Sequence, residues 1–116
     1  MLATGAYDGT IRLWNEDGLL KSEIKAHSSQ IFGLRWNADS SKLASVAYYG
    51  GLKIWNADGT TDRTLASRSH WLSCVDWSPD GSKLIVGELH RDAVIWNASG
   101  GRLATLSFGA HVQTVS

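Results

Sequence analysis

The stretch Lys53–Gly59 reads KIWNADG, and it has two near-copies: RLWNEDG at Arg12–Gly18 and VIWNASG at Val94–Gly100. A catalytic motif usually occurs once in a domain, whereas a building unit recurs. Trp14, Trp55 and Trp96 follow one another at intervals of 41 residues, and Trp36 and Trp77 repeat that interval. Two tryptophan series on one period are the signature of a repeat architecture.

Each unit has the same local grammar. QIFGLRW (30–36) and WLSCVDW (71–77) end in alternating apolar residues, a strand pattern. The turn clusters NADSSK and SPDGSK follow, and in the second Pro79 presets φ and Gly81 closes a type I turn. Next come LASVA and LIVGE, with LATGA at the N-terminus as the same element; third strands read TIRLW, GLKIW and DAVIW. The heptad joins the end of this third strand to a polar turn, NEDG, NADG or NASG. Fourth strands lie in LLKSEI, RTLA and RLATLS. No segment sustains a 3.6-residue apolar period. The chain therefore reads as all-β, with four short strands per repeat, the content of one propeller blade. The expected organisation is a single partial propeller of about three blades' worth of antiparallel strands. Residues 1–26 supply strands two to four of a first blade, 27–67 a second and 68–110 a third. Residues 111–116 supply the first strand of a further one.

Composition narrows the function. The 116 residues are 43% hydrophobic and 19% charged, and the formal net charge is zero, with no lysine or arginine block. That balance argues against nucleic acid or an anionic membrane as the main partner. Cys74 is the only cysteine, so no intrachain disulfide forms, which fits the cytoplasm or nucleus. The N-terminus lacks the pattern of a secretory signal, and no apolar stretch approaches the ~18 residues of a membrane span. Asn97-Ala98-Ser99 matches a glycosylation acceptor, but it reads as a turn.

LATGAYDGTIRLWNEDG (2–18) and HWLSCVDWSPDGSKL (70–84) resemble the WD-repeat β-propeller family, and the resemblance covers essentially the whole chain. The usual Trp-Asp pair of that family is here Trp-Asn in all three copies. The resemblance implies a hydrogen-bonded set in each blade: His before the first strand, Ser or Thr on the second, Asp in the next turn, Trp on the third. The first unit offers Thr4, Asp8 and Trp14; the second offers His27, Ser45 and Trp55, with Tyr49 at the Asp position. In the third, Trp96 is present, but Val86 and His90 occupy the Ser/Thr and Asp positions. His70 sits two residues out of register with His27, whose strict match is Arg68. No unit carries the complete set, and each missing buried hydrogen bond costs roughly 1 kcal/mol. These blades are expected to lean on packing.

Twelve strands are fewer than a closed propeller needs. Either the chain is a piece of a longer propeller, or several copies assemble into a ring in which 111–116 of one completes the first blade of another. The sequence favours the first reading, because nothing in it stands out as a closure surface.

Candidate chemistry is sparse. His27, His70 and His111 fall on successive repeats and His90 on a turn, so they do not converge on a metal. No nucleophile elbow or glycine-rich phosphate loop occurs. Cys74 reads as a small buried hydrophobe. No catalytic, metal or cofactor site is expected. Trp71 is different, because the matching position one repeat earlier is Gln30. Its surroundings resemble G-protein β subunits, which implies that Trp71 faces a partner-binding top surface together with Gln30, Phe32 and Ser73. Tyr7, Tyr48 and Leu89, just before the second-to-third strand turns, belong to the same rim. LATGAYDGTIRLWNEDG followed by IFGLRWN is also similar to the transducin β-like subunits of histone-deacetylase corepressor complexes, and bacterial WD-repeat proteins write LWNxDG too. The expectation is a non-enzymatic scaffold that presents a rigid face to other proteins or peptides. The alternatives are a propeller segment of a larger regulatory or enzymatic protein and a self-assembling ring.

Overall fold

The period-two apolar pattern and the recurring Asn-x-x-Gly turns dictate antiparallel hairpins. The computed structural model describes residues 1–49, 51–67, 71–88 and 92–106. Among them are eleven strands and no helix. Strands β1 (Leu2–Gly5), β2 (Thr10–Trp14) and β3 (Leu20–Lys25) form the first sheet. The second sheet contains β4 (Ile31–Trp36), β5 (Lys42–Ala47), β6 (Gly51–Asn56) and β7 (Thr61–Ser67), in that order. The third contains β8 (Leu72–Trp77), β9 (Lys83–Glu88), β10 (Ala93–Asn97) and β11 (Arg102–Leu106). Every pairing is antiparallel between chain neighbours. The all-β expectation holds, and no helix is long and apolar enough to cross a membrane.

The heptad turns out to be a hairpin hinge. In its middle copy the Gly59 amide donates to the Asn56 carbonyl at 3.0 Å, and the Thr60 amide donates to Asp58 Oδ1 at 2.9 Å. Gly18, Gly59 and Gly100 all have positive φ, of 84°, 92° and 125°. The strand register slips at Leu13/Trp14, Ile54/Trp55 and Ile95/Trp96, three equivalent places. A type I turn closed by a left-handed glycine carries such a bulge, which explains why the motif needs its glycine.

Alternation along each strand then assigns its two faces to two different seams. On β6, Trp55 joins Leu43 against Ile11 and Leu13 of the first sheet, in one cluster with Ala26 of the linker. Leu52 and Ile54 point the other way, with Ala44 and Val46, against Leu72, Val75, Leu84 and Trp96 of the third sheet. Each fully buried aliphatic side chain contributes about 1.5–3 kcal/mol. The central strands β5 and β6 of the middle sheet are therefore buried on both faces, one against each neighbouring sheet.

Candidate partner-binding face

The second sheet carries a hydrogen-bonded relay. Ser45 is fully buried, and its Oγ accepts from Trp55 Nε1 at 2.9 Å and lies 2.7 Å from His27 Nε2. In the first sheet Trp14 Nε1 donates to Thr4 Oγ1 at 3.0 Å, while Asp8 binds its own turn through the Thr10 amide at 3.0 Å. In the third, Val86 and Trp96 are buried apolar neighbours within the seam. Burial, together with the Lys53 ammonium, pushes the His27 pKa down to about 4. Lys53 Nζ donates to the Ala26 carbonyl at 2.7 Å, next to the His27 it repels.

One end of the β4–β5 hairpin gathers the aromatic residues. In β4, Ile31 pairs with Ala47 and Gly33 with Val46, so Phe32 is the extra residue of a bulge. A bulge re-aims its side chain: Phe32 is 39% exposed and stands edge-on to Tyr48, ring centroids 5.3 Å apart. Tyr48 is held in the following turn by its amide, which donates to the Gln30 carbonyl at 2.8 Å. Trp71, at the entrance to β8, stacks on Tyr48 at 4.6 Å and 27°, and Tyr49 meets Tyr48 edge-on at 5.1 Å. Half-buried Tyr48 is thus the hub of a four-ring cluster that spans the second and third sheets.

An open cleft of about 720 Å³ adjoins this cluster, lined by Tyr7, Asp8, Ser28, Ser29, Gln30, Tyr48 and Tyr49. Tyr7 and Tyr49 are 81% and 63% exposed, so both rings are open to solvent at the mouth of the cleft. Among the described residues, Asp8 is the cleft's one carboxylate. Hydrogen bonds from the Thr10 hydroxyl and amide hold its pKa below the ordinary value, so it is anionic at neutral pH. Three tyrosine rings thus alternate with hydroxyl, amide and carboxylate groups around a cleft of mixed polarity that carries one fixed charge.

Of the residues the sequence marks for this face, Phe32, Tyr48 and Trp71 come together in ring contact, and Tyr7, Gln30 and Tyr48 line the cleft. Ser73 also sits at a bulge, in β8, but its hydroxyl turns back to donate to the Gly87 carbonyl at 3.2 Å. Leu89, His70, His90 and residues 111–116 lie outside the described residues. Sequence reasoning missed Tyr49, which it treated only as a lost Asp, and Ser28 and Ser29. The signal for Tyr49 was the Tyr-Tyr pair at the turn. Cys74 is half-buried, and no three His, Cys, Asp or Glu side chains cluster among the described residues.

The WD domain, G-beta repeat family matches residues 1–15, 18–56 and 59–97. Each full match begins near the outer strand of one sheet and ends at the third strand of the next, so sequence unit and sheet are offset by one strand. The human F-box-like/WD repeat-containing protein TBL1X is 47% identical over 45 residues, which is 39% of this chain and 8% of that protein. Bovine coronin-7 is 40% identical over 47 residues, 40% of this chain and 5% of the relative. The matched segments thus span less than a tenth of these relatives.

Proposed function

The chain belongs to the WD domain, G-beta repeat family, and from that premise we propose that it is a non-enzymatic scaffold whose cleft and aromatic cluster bind a partner protein. The observation that carries the proposal is Trp71 stacked at 4.6 Å on Tyr48 while remaining 39% exposed, beside two still more exposed tyrosines. Rigid aromatic residues at partly desolvated positions are the usual anchors of interfaces. The anionic Asp8 between Tyr7 and the serines favours a peptide segment that pairs an apolar anchor with a basic side chain. Intracellular placement accords with the single cysteine and with this mode of action. A transducin β-like corepressor subunit is the finer reading, supported by the 45-residue similarity to TBL1X.

A peptide-display selection against the chain, followed by titration of the selected peptide, tests the site. Trp71→Ala is expected to weaken binding at least ~10-fold, as for an aromatic hot spot, while changing stability by under about 1 kcal/mol. Peptides that bind the variant as tightly as the wild type would move the site elsewhere. Loss of folding in the variant would make Trp71 a core residue.

A further inference from the structure

The first and second sheets treat an equivalent basic side chain in different ways. On β2, Arg12 faces Glu23 across the strand pair, and its Nε donates to Glu23 Oε2 at 3.0 Å. Asp8 adds a second negative charge within electrostatic reach of the same guanidinium. One period later the cation is kept, as Lys53, and both carboxylates are gone. Lys53 faces Thr64 where Arg12 faces Glu23, and Tyr49 stands at the position of Asp8. In the third sheet the pair is Val94 and Thr105, so cation and carboxylate are lost together. The second sheet alone keeps the charge without its counter-ions.

No substitute carboxylate meets Lys53 among the described residues, where the ion pairs join Arg12 to Glu23 and Lys42 to Asp62. Its Nζ donates to the Ala26 carbonyl at 2.7 Å and lies 5.8 Å from the Trp55 ring centroid. An ammonium carries three donors, and the carbonyl uses one of them. Beside it opens a hollow of about 120 Å³, whose wall includes Lys53, His27, Ser28, Ser29, Tyr49 and Thr64 and no carboxylate. Both residues that took the place of a carboxylate therefore line it.

His27 supplies a directed donor to the same space. Ser45 Oγ accepts from Trp55 Nε1, and His27 Nε2 is the acceptor left for the Ser45 proton among the described residues. Nε2 thereby accepts, and the imidazole, neutral at neutral pH, carries its own proton on Nδ1. A Cβ on Gly51 would stand 2.5 Å from Nδ1, so the bare glycine leaves that donor its room. Gly51 also lines the hollow.

We propose that this hollow is a carboxylate site, filled by an acidic side chain of a partner protein. One ammonium balances one negative charge, and carboxylates hold the equivalent positions in the first sheet. The hydroxyls and the imidazole N–H then bond the oxygens of an anion that would otherwise lose its water. The hollow shares Ser28, Ser29 and Tyr49 with the larger cleft. For the source of the carboxylate the assignment rests on the partner-binding reading of that cleft: a segment whose basic side chain meets Asp8 brings an acidic one to Lys53.

Acetate tests the hollow without any partner, so the outcome is independent of whether the cleft binds a peptide. In an NMR titration at neutral pH and constant ionic strength, the His27 ring and Trp55 indole signals are expected to move and to saturate below about 100 mM acetate. Lys53→Met is expected to weaken acetate binding at least ~10-fold, because a charge-assisted hydrogen bond is lost. Thr64→Glu supplies the carboxylate that the first sheet has in Glu23. It is expected to keep the far-UV β spectrum and to show no saturable response to acetate. Wild-type signals that do not saturate, an unchanged affinity in Lys53→Met, or wild-type affinity in Thr64→Glu would each overturn the proposal. Inorganic phosphate binding more tightly than acetate would overturn the carboxylate assignment and give the hollow to a phosphoryl group.

Discussion

Ser45→Ala isolates the relay that ties the linker before β4 to the core of the second sheet. The hydroxyl is fully buried and touches two groups at once, Trp55 Nε1 at 2.9 Å and His27 Nε2 at 2.7 Å. Removing it leaves the indole N–H of Trp55, which is only 4% exposed, without its hydrogen-bond acceptor. An orphaned buried donor costs about 1–3 kcal/mol. His27 is half-buried and can be rehydrated, so its loss sits at the lower end of that range. The sum is about 2–4 kcal/mol, well above the lost transfer energy of one small side chain. The assay is urea unfolding at fixed protein concentration, with Trp55→Phe and the double variant completing a cycle. A phenyl ring has no N–H to orphan, so Ser45→Ala should cost less in the Trp55→Phe background by about 1–2 kcal/mol. A single-variant cost below about 0.5 kcal/mol, or a coupling near zero, would refute the claim that this hydrogen bond holds the sheet.

Acid should weaken the fold in a window set by His27. Its folded pKa of about 4 lies below the ordinary 6.5, so the unfolded chain binds the proton first. Stability is then full above about pH 6.5 and is lost as pH falls toward 4, by about 1–2 kcal/mol after allowance for partial exposure; His27→Gln should flatten that slope in urea titrations. The carboxylates of Asp8, Asp39, Asp58 and Asp80, all held below their ordinary pKa by neighbouring hydroxyls and amides, act only at lower pH. Gly9→Ala should cost about 3 kcal/mol or more: φ is +88° and the new Cβ would overlap the His27 carbonyl oxygen. An equilibrium stability within about 1 kcal/mol of wild type would contradict that contact. Ser40 has φ +61° at the place where Gly81 closes the equivalent turn, so Ser40→Gly should raise stability by up to about 1 kcal/mol, measured as a higher urea midpoint.

The fold was legible because the period is written in the residues that bury most area. Trp55 and Trp96 are in the sequence series and in the seams, and the glycine of each heptad sits at the positive φ its turn requires. What the period could not disclose is how side chains redistribute where a repeat departs from its neighbours. Phe32 and Ser73 are equivalent by spacing and both occupy bulges, yet one joins the rings and the other bonds to Gly87. That difference follows from the chemistry of the side chain, since a hydroxyl finds a backbone acceptor and a phenyl ring does not. The proximity of Lys53 to His27 was equally hidden, because it depends on a linker lying across a strand 27 residues from Ala26.

The same reasoning explains where recognition belongs in such a molecule. A position that repeats faithfully is fixed by the seam on either side, so changing it costs stability before it alters any partner. Specificity must therefore sit where the repeats disagree. Gln30 is matched by Trp71, and Asp8 is matched by Tyr49; the cleft and cluster are assembled from these mismatched pairs. Tyr7 and Tyr48 are matched to each other, but only Tyr48 has a tryptophan to stack on, and Tyr7 is left 81% exposed. The second sheet keeps the His27–Ser45–Trp55 relay beneath these departures, whereas the third replaces the serine with Val86. The hairpin that carries Phe32, Tyr48 and Tyr49 is thus tethered through the His27–Ser45–Trp55 relay. On the proposed function, such a rigid support would lower the entropy lost when the rings order against a partner.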